Sequence, residues 1–190
     1  KDVLLLDVVN AINNAKKDEK IKGLSIEVDN LPAGITQIDD IRTAIEDFKK
    51  SGKFVYAYGN NMSQGSYYLA SVADKLYLSP VGMVELKGLS TEVTFLKDFA
   101  AKYGIGVDVI RHGKFKAAVE PFIRNDISPE NKEQLSTLLN DIWGNISTKI
   151  KTSRKLDDAT FKTTVDSLYG FMPELVVKNK LADQLLQKSE

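Results

Sequence analysis

Lys53-Phe54-Val55-Tyr56-Ala57-Tyr58-Gly59-Asn60-Asn61-Met62-Ser63-Gln64-Gly65-Ser66-Tyr67 is the stretch that decides the fold. Lys53 to Tyr58 is rich in β-branched and aromatic residues and reads as a strand. Gly59 to Ser66 is a small, polar elbow, and a helix begins near Tyr67. The order is strand, elbow, helix, and it repeats on both sides.

Upstream, Gly23-Leu24-Ser25-Ile26-Glu27-Val28 is a continuous run expected to be a buried strand. It follows a first helix whose apolar face is Leu4, Leu5, Leu6, Val8, Val9 and Ile12. Asp29 to Gly34 is a turn-rich loop, and Ile38, Ile41, Ile45 and Phe48 recur at helical spacing after it. Downstream, Lys75 to Leu78 is a third strand, Ser79-Pro80-Val81-Gly82 a turn, and Met83 to Leu86 a further extended piece. Phe95, Leu96 and Phe99 mark a helix closed by Lys102-Tyr103-Gly104, and Val107 to Ile110 is a fifth strand. Such alternation predicts an α/β fold with a mainly parallel sheet.

Val107 to Phe122 delivers two lysines, Lys114 and Lys116, to the start of a short helix. Pro121 disfavours helical geometry at Glu120, so that helix is one or two turns long. Phe115, Val119 and Phe122 would face the core, with Lys116 one position off their stripe. Ser128-Pro129-Glu130 reads as an N-cap, a first-turn proline and a first-turn acid, opening a long helix through Leu135, Leu138, Leu139, Ile142, Trp143 and Ile146. Leu156 to Gln187 is helical in character, punctuated by Asp157-Asp158 and Pro173. One domain over residues 1–190 is expected, roughly 1–128 as core and 129–190 as helical extension.

Composition narrows function. With 26 basic and 26 acidic residues the formal net charge is zero, and no basic cluster is dense enough to track a phosphate backbone, which disfavours nucleic acid. The chain has no cysteine, which removes disulfides, thiolate metal sites and cysteine nucleophiles. The single histidine, His112, has no carboxylate or second histidine at ligand spacing and reads as a partly exposed polar residue. No apolar run reaches the roughly 20 residues of a membrane span. Lys1 is not an initiator methionine, so a fragment or processed piece is expected.

Serines flanked by small residues on a strand-to-helix turn are where acyl-transfer nucleophiles sit. Yet neither Ser63 nor Ser66 has glycines two residues away on both sides, and the alternative is a turn whose hydroxyls cap the helix. Asp39-Asp40 and Asp157-Asp158 lie near helix starts, as solvated acids do. Lys116 is the remaining candidate. By spacing it is either a surface partner of Glu120 or a base, and a base near neutral pH needs its pKa of about 10.4 brought to about 8, at about 3 kcal/mol.

Three blocks, Tyr56 to Ser71, Leu78 to Gly82 and Gly113 to Arg124, resemble the amino-terminal half of the long, two-domain form of the bacterial signal peptide peptidase A family. The most specific is Lys116-Phe115's neighbourhood, K-x-A-x-E-P-F from Lys116 to Phe122. The resemblance implies a crotonase and Clp-protease-like β-β-α superhelix with added C-terminal helices, and a serine-lysine endopeptidase that degrades cleaved signal peptides. It makes Lys116 the general base, with no cofactor and no metal. The nucleophilic serine would come from the carboxy-terminal half, in a serine-glycine-glycine-tyrosine elbow; aligned through Tyr67, Gln64 stands in its place here. Pro32-Ala33-Gly34 likewise stands where the serine-bearing half has proline-glycine-glycine to help form an oxyanion hole. A membrane anchor outside this stretch, a homo-oligomeric ring and the periplasmic side of the bacterial inner membrane are further implications. A scaffold domain or an acyl-CoA-handling crotonase relative are the alternatives.

Overall fold

The computed structural model describes residues 4–29, 31–109 and 117–190. These divide into two compact units, residues 1–87 with 146–190, and residues 88–145.

The first unit carries a four-stranded sheet in the order β1 (Gly23–Glu27), β2 (Phe54–Met62), β3 (Lys75–Val84), β4 (Gln184–Leu185), every neighbouring pair parallel. The α/β class with a parallel sheet is what the alternation predicted. On β2, Val55, Ala57 and Gly59 point into the core while Phe54 and Tyr56 stay exposed, the period of two of a strand. Helix α1 (Leu5–Lys17) lies N-terminal to β1 and packs on α2 (Ile35–Lys49). On α2 the predicted positions Ile38, Ile45 and Phe48 are buried. On α1 only Ile12 and Ala15 are, while Leu5, Val8 and Val9 are half-buried and Leu6, like Leu4 before the helix, is exposed, so the expected apolar face is fully covered only at its C-terminal end. Helix α3 (Gln64–Ala70) is short, and Tyr67 to Ala70 are all buried. A helix this brief is held by packing on every side.

The third strand and the following extended piece are one strand, not two. Between the pairs Gly59↔Leu78 and Asn61↔Met83 the register shifts, so Ser79 to Gly82 bulges out of an otherwise continuous ladder. Pro80 is tolerated there because a bulge asks for no ladder donor.

The C-terminal segment folds onto this sheet. The last turns of α6 (Pro129–Arg154) bury Ile146 and Ile150, and α7 (Asp158–Asp166) and α8 (Pro173–Lys178) follow. Asp157 caps α7 by accepting from the Thr160 amide at 2.8 Å, and Pro173 opens α8. Strand β4, two residues long and unforeseen from sequence, then closes the edge of β3.

In the second unit, α4 (Lys97–Lys102) ends at Gly104, whose φ of +69° is the left-handed geometry glycine adopts freely. Val107 to Val109 form no strand, and Ile110 lies outside the described residues. An alternating triplet is too short to stay extended without a partner to pair with. After a single 3₁₀ turn at Ala117–Val119 comes α5 (Glu120–Ile123). Here Glu120 is helical although Pro121 follows it, because both sit in the first turn, where a missing amide costs nothing. Phe122, expected in the core, is 45% exposed, and Glu120 is buried in its stead. Phe115 lies outside the described residues.

Candidate functional site

At the C-terminal ends of β1 and β2 the loop after β1 comes beside the last residues of β2, the place where parallel α/β sheets open a crevice. Asp29, which the sequence marked only as a turn residue, joins them. Its carboxylate accepts from the Asn60 amide at 2.8 Å, the Asn61 amide at 3.0 Å and the Asn60 side chain at 2.5 Å. In the loop after β1 Ala33 N–H donates to Leu31 O at 2.9 Å, and Gly34 N–H donates to Gln37 Oε1 at 2.9 Å. Asn30 lies outside the described residues.

The elbow follows. Ser63 is the N-cap of α3: its Oγ accepts from the Ser66 amide at 3.2 Å and donates to Ser66 Oγ at 3.0 Å. Ser66 is 1% exposed. This is the capping reading of the elbow, with one hydroxyl engaged by the helix end and the other sealed beneath it. Gln64 occupies the first helical position, and its Oε1 accepts from the Lys87 amide at 3.1 Å, tying α3 to the end of β3. Gly65 admits the Ile38 side chain, whose Cδ1 would lie 3.0 Å from a Cβ.

Lys116 and His112 lie outside the described residues, as does the first half of the block that carries Lys116. The second half is described. Glu120 is 2% exposed, and its carboxylate accepts from the Ser128 hydroxyl, from the Ser128 amide at 3.2 Å and from Asn131 Nδ2 at 3.1 Å. Ser128 Oγ in turn accepts from the Asn131 amide at 3.1 Å, which is the predicted cap of α6. The Ser128 hydroxyl bond holds the Glu120 carboxyl below the usual carboxylate range; burial opposes it, and the bonds from the Ser128 amide and Asn131 add to it.

Of the paired acids, Asp39 is no solvated face. It accepts from the Tyr68 hydroxyl and, at 2.5 Å, from Lys149 Nζ. Burial raises its carboxyl, but the Lys149 and Tyr68 bonds outweigh burial and leave it lowered. Beside it Arg42, 1% exposed, donates to Tyr68 O, to Ser71 Oγ at 2.8 Å, to Lys149 O at 3.3 Å and to Ser153 Oγ at 2.5 Å. This cluster binds α2, α3 and α6 together and contains no free nucleophile. Among the described residues no group of three or more acidic or histidine side chains is placed to hold a metal ion.

The model of peptidase family S49 matches residues 47–190, which include the elbow and the whole Lys116 block. This chain belongs to peptidase family S49. It is 40% identical to Protease 4 of Haemophilus influenzae over 82% of its length and 26% of that protein's, and 36% identical to Protease 4 of Salmonella typhi over 98% and 31%. The chloroplastic serine protease SPPA of Arabidopsis thaliana is 37% identical over 69% of the chain and 19% of that protein. The chain thus spans less than a third of the length of each of these three relatives. These relatives agree with the signal peptide peptidase A resemblance read from the three sequence blocks. Solved structures that align include an enoyl-CoA hydratase/isomerase family protein from Silicibacter pomeroyi, at 15% identity and a TM-score of 0.32 over 92% of this chain and 86% of that one. HypX from Aquifex aeolicus aligns at 15% identity and 0.35, over 93% and 40%. Superpositions this loose carry nothing further.

Within the S49 family, then, this chain has an elbow whose two hydroxyls are committed and whose half-buried helical start is a glutamine. In the second unit, the described half of the lysine block is anchored by a cap-and-carboxylate cluster at the N-terminus of α6.

Proposed function

We propose that the chain is the lysine-bearing part of an S49 serine endopeptidase, with Lys116 as general base toward a serine that a second copy of the fold supplies. The elbow is the observation that carries this reading. Ser63 is engaged as a cap, Ser66 is buried, and Gln64 is no nucleophile. A Ser-Lys pair needs a neutral amine to take the serine Oγ proton as the oxygen attacks the peptide carbonyl. Glu120, four residues beyond Lys116, would oppose the required fall in pKa if it faced the ammonium; among the described residues its carboxylate accepts from Ser128 and Asn131. The substrates are cleaved signal peptides, taken at the outer face of the bacterial inner membrane by a ring of copies. No helix of the described residues is long and apolar enough to cross a membrane; the reading takes the anchor to lie outside this stretch.

The test is to combine this chain with a serine-bearing part and assay peptide cleavage. Neither alone cleaves, the mixture does, and Lys116→Ala returns the mixture to background while the assembly elutes unchanged on sizing. Retained cleavage by Lys116→Ala would sink the assignment.

A second reading, a scaffold that assembles a separate catalytic domain, is favoured by the second unit's surface. Phe99, Tyr103, Ile105 and Leu138 are each more than half exposed there, at 59, 63, 55 and 55%. On that reading Lys116→Ala breaks the assembly itself.

A further inference from the structure

At the opposite end of the sheet from the elbow, where β3 begins and β4 is entered, lies a cavity of about 500 Å³. That volume is in the range of small-molecule sites. Five cations line it, Lys49, Lys75, Arg154, Lys155 and Lys180, against two carboxylates, Asp74 and Asp183. Both carboxylates are already engaged. Asp74 accepts from the Val55 amide at 2.8 Å and pairs with Lys49 at 2.8 Å. Asp183 accepts from the Leu76 amide at 2.8 Å and from Arg154 Nη1 at 3.0 Å, with Lys75 at 3.8 Å. The lining therefore keeps an excess of positive charge.

Arg154 is the buried member, its side chain 7% exposed. Nε donates to Lys180 O at 3.1 Å and Nη1 to Asp183. Nη2 makes no bond among the described residues, yet it is not sealed from solvent, and the cavity is what Arg154 lines. A guanidinium fixed at two corners with its third nitrogen open is a preorganised donor for an oxyanion.

Lys155 and Lys180 add an independent observation. Each follows a helix C-terminus with positive φ, 54° and 61°. In both cases the next amide reaches back five residues, Leu156 N–H to Lys151 O at 2.9 Å and Leu181 N–H to Val176 O at 2.8 Å. That is the Schellman position, where glycine is the unstrained residue and any other side chain is disfavoured. Two such positions, in two helices far apart in sequence, both place a lysine on one cavity. A cation at a helix C-terminus is favourable in itself, but that effect asks for a lysine anywhere in the last turn. It does not ask for one at the strained residue.

We propose that this cavity is a binding site for a phosphate-type oxyanion, held by Arg154, Lys155 and Lys180. The phosphate is that of a soluble phosphorylated compound or of an anionic lipid headgroup. The site is distinct from the elbow and independent of the peptidase reading.

Isothermal titration of the 190-residue chain with inorganic phosphate, at physiological ionic strength, is the test. Saturable binding is expected. The double variant Lys155→Gly/Lys180→Gly keeps the backbone and relieves its strain, so it should unfold at the same or a higher temperature while binding phosphate at least about tenfold more weakly, the loss of one charge-assisted bond or more. Sedimentation with phosphatidylglycerol vesicles, against phosphatidylcholine vesicles, then separates the sources. Retention that phosphate displaces assigns a lipid headgroup, and no retention assigns a soluble compound. No saturable heat from the unaltered chain, or equal affinity in the stable glycine variant, overturns the proposal.

Discussion

The Glu120 carboxylate holds Ser128 twice, once through its hydroxyl and once through its amide, while the same Ser128 oxygen caps α6. One buried acid thereby fixes the end of the Lys116 block to the start of the longest helix. Replacing it with alanine strands the Ser128 and Asn131 donors, and we expect Glu120→Ala to cost about 3 kcal/mol. The chain's only tryptophan, Trp143, lies on α6, so urea unfolding followed by its fluorescence reads the loss directly.

The same carboxylate makes a signed prediction for pH. Its folded pKa lies below its unfolded value, chiefly through the Ser128 hydroxyl bond. The stability it contributes is present above the unfolded pKa of about 4.3 and is lost as pH falls through the folded pKa. The Trp143-monitored transition should therefore weaken in acid more steeply in the unaltered chain than in Glu120→Ala. Parallel acid dependence in the two would exclude Glu120 as the source.

Tyr68 predicts the alkaline limb. Burial, and then its bond to Asp39, push the phenol up to about 12. A raised tyrosine pKa favours the protonated form in the fold, so the contribution is intact below pH 10.0 and is lost as pH rises from there toward 12. Tyrosinate absorbance should show a late-ionising component that disappears in Tyr68→Phe.

How far these features could be read in advance depends on their range along the chain. Caps are local, and Ser63 and Ser128 were legible because their partners lie three residues on, whereas Asp157, which caps α7 in the same way, has the sequence signature of a solvated acid. The parallel sheet was legible because the apolar runs alternate with helical spacing. Arg42 was not: it occupies a polar-looking position on α2, and its partners Tyr68, Ser71, Lys149 and Ser153 are 26 to 111 residues away. Asp29 was read as a turn former because its partners Asn60 and Asn61 belong to the next strand. The Ser79 to Gly82 turn had the right residues but the wrong consequence, since turn chemistry does not say whether pairing resumes after it. The chemistry assigned to Lys116 came from resemblance, as spacing alone left it beside an ordinary surface lysine.

Gly82 is where that resumption is decided. A Cβ there would meet Asn60 O at 2.2 Å, a backbone atom that no rotamer change can move aside. Gly82→Ala should therefore force β3 away from β2 and cost about 1–3 kcal/mol or more. A thermal midpoint equal to that of the unaltered chain would show that the bulge is softer than its packing indicates.

Gln64→Ser asks whether the elbow lacks only its nucleophile. It lacks more. An oxyanion needs donors left free to meet it, each worth about 3 kcal/mol in the transition state. Four amides beside the elbow are engaged: Ala33 with Leu31, Gly34 with Gln37, Asn60 and Asn61 with Asp29. Removing Gln64 also frees the Lys87 amide from its acceptor and loosens α3 from β3. Gln64→Ser is expected to leave peptide cleavage by this chain at background, and so is Gln64→Ser combined with Asp29→Ala, because Ala33 and Gly34 stay bonded. Cleavage by either variant would mean that this elbow is a complete site missing one atom.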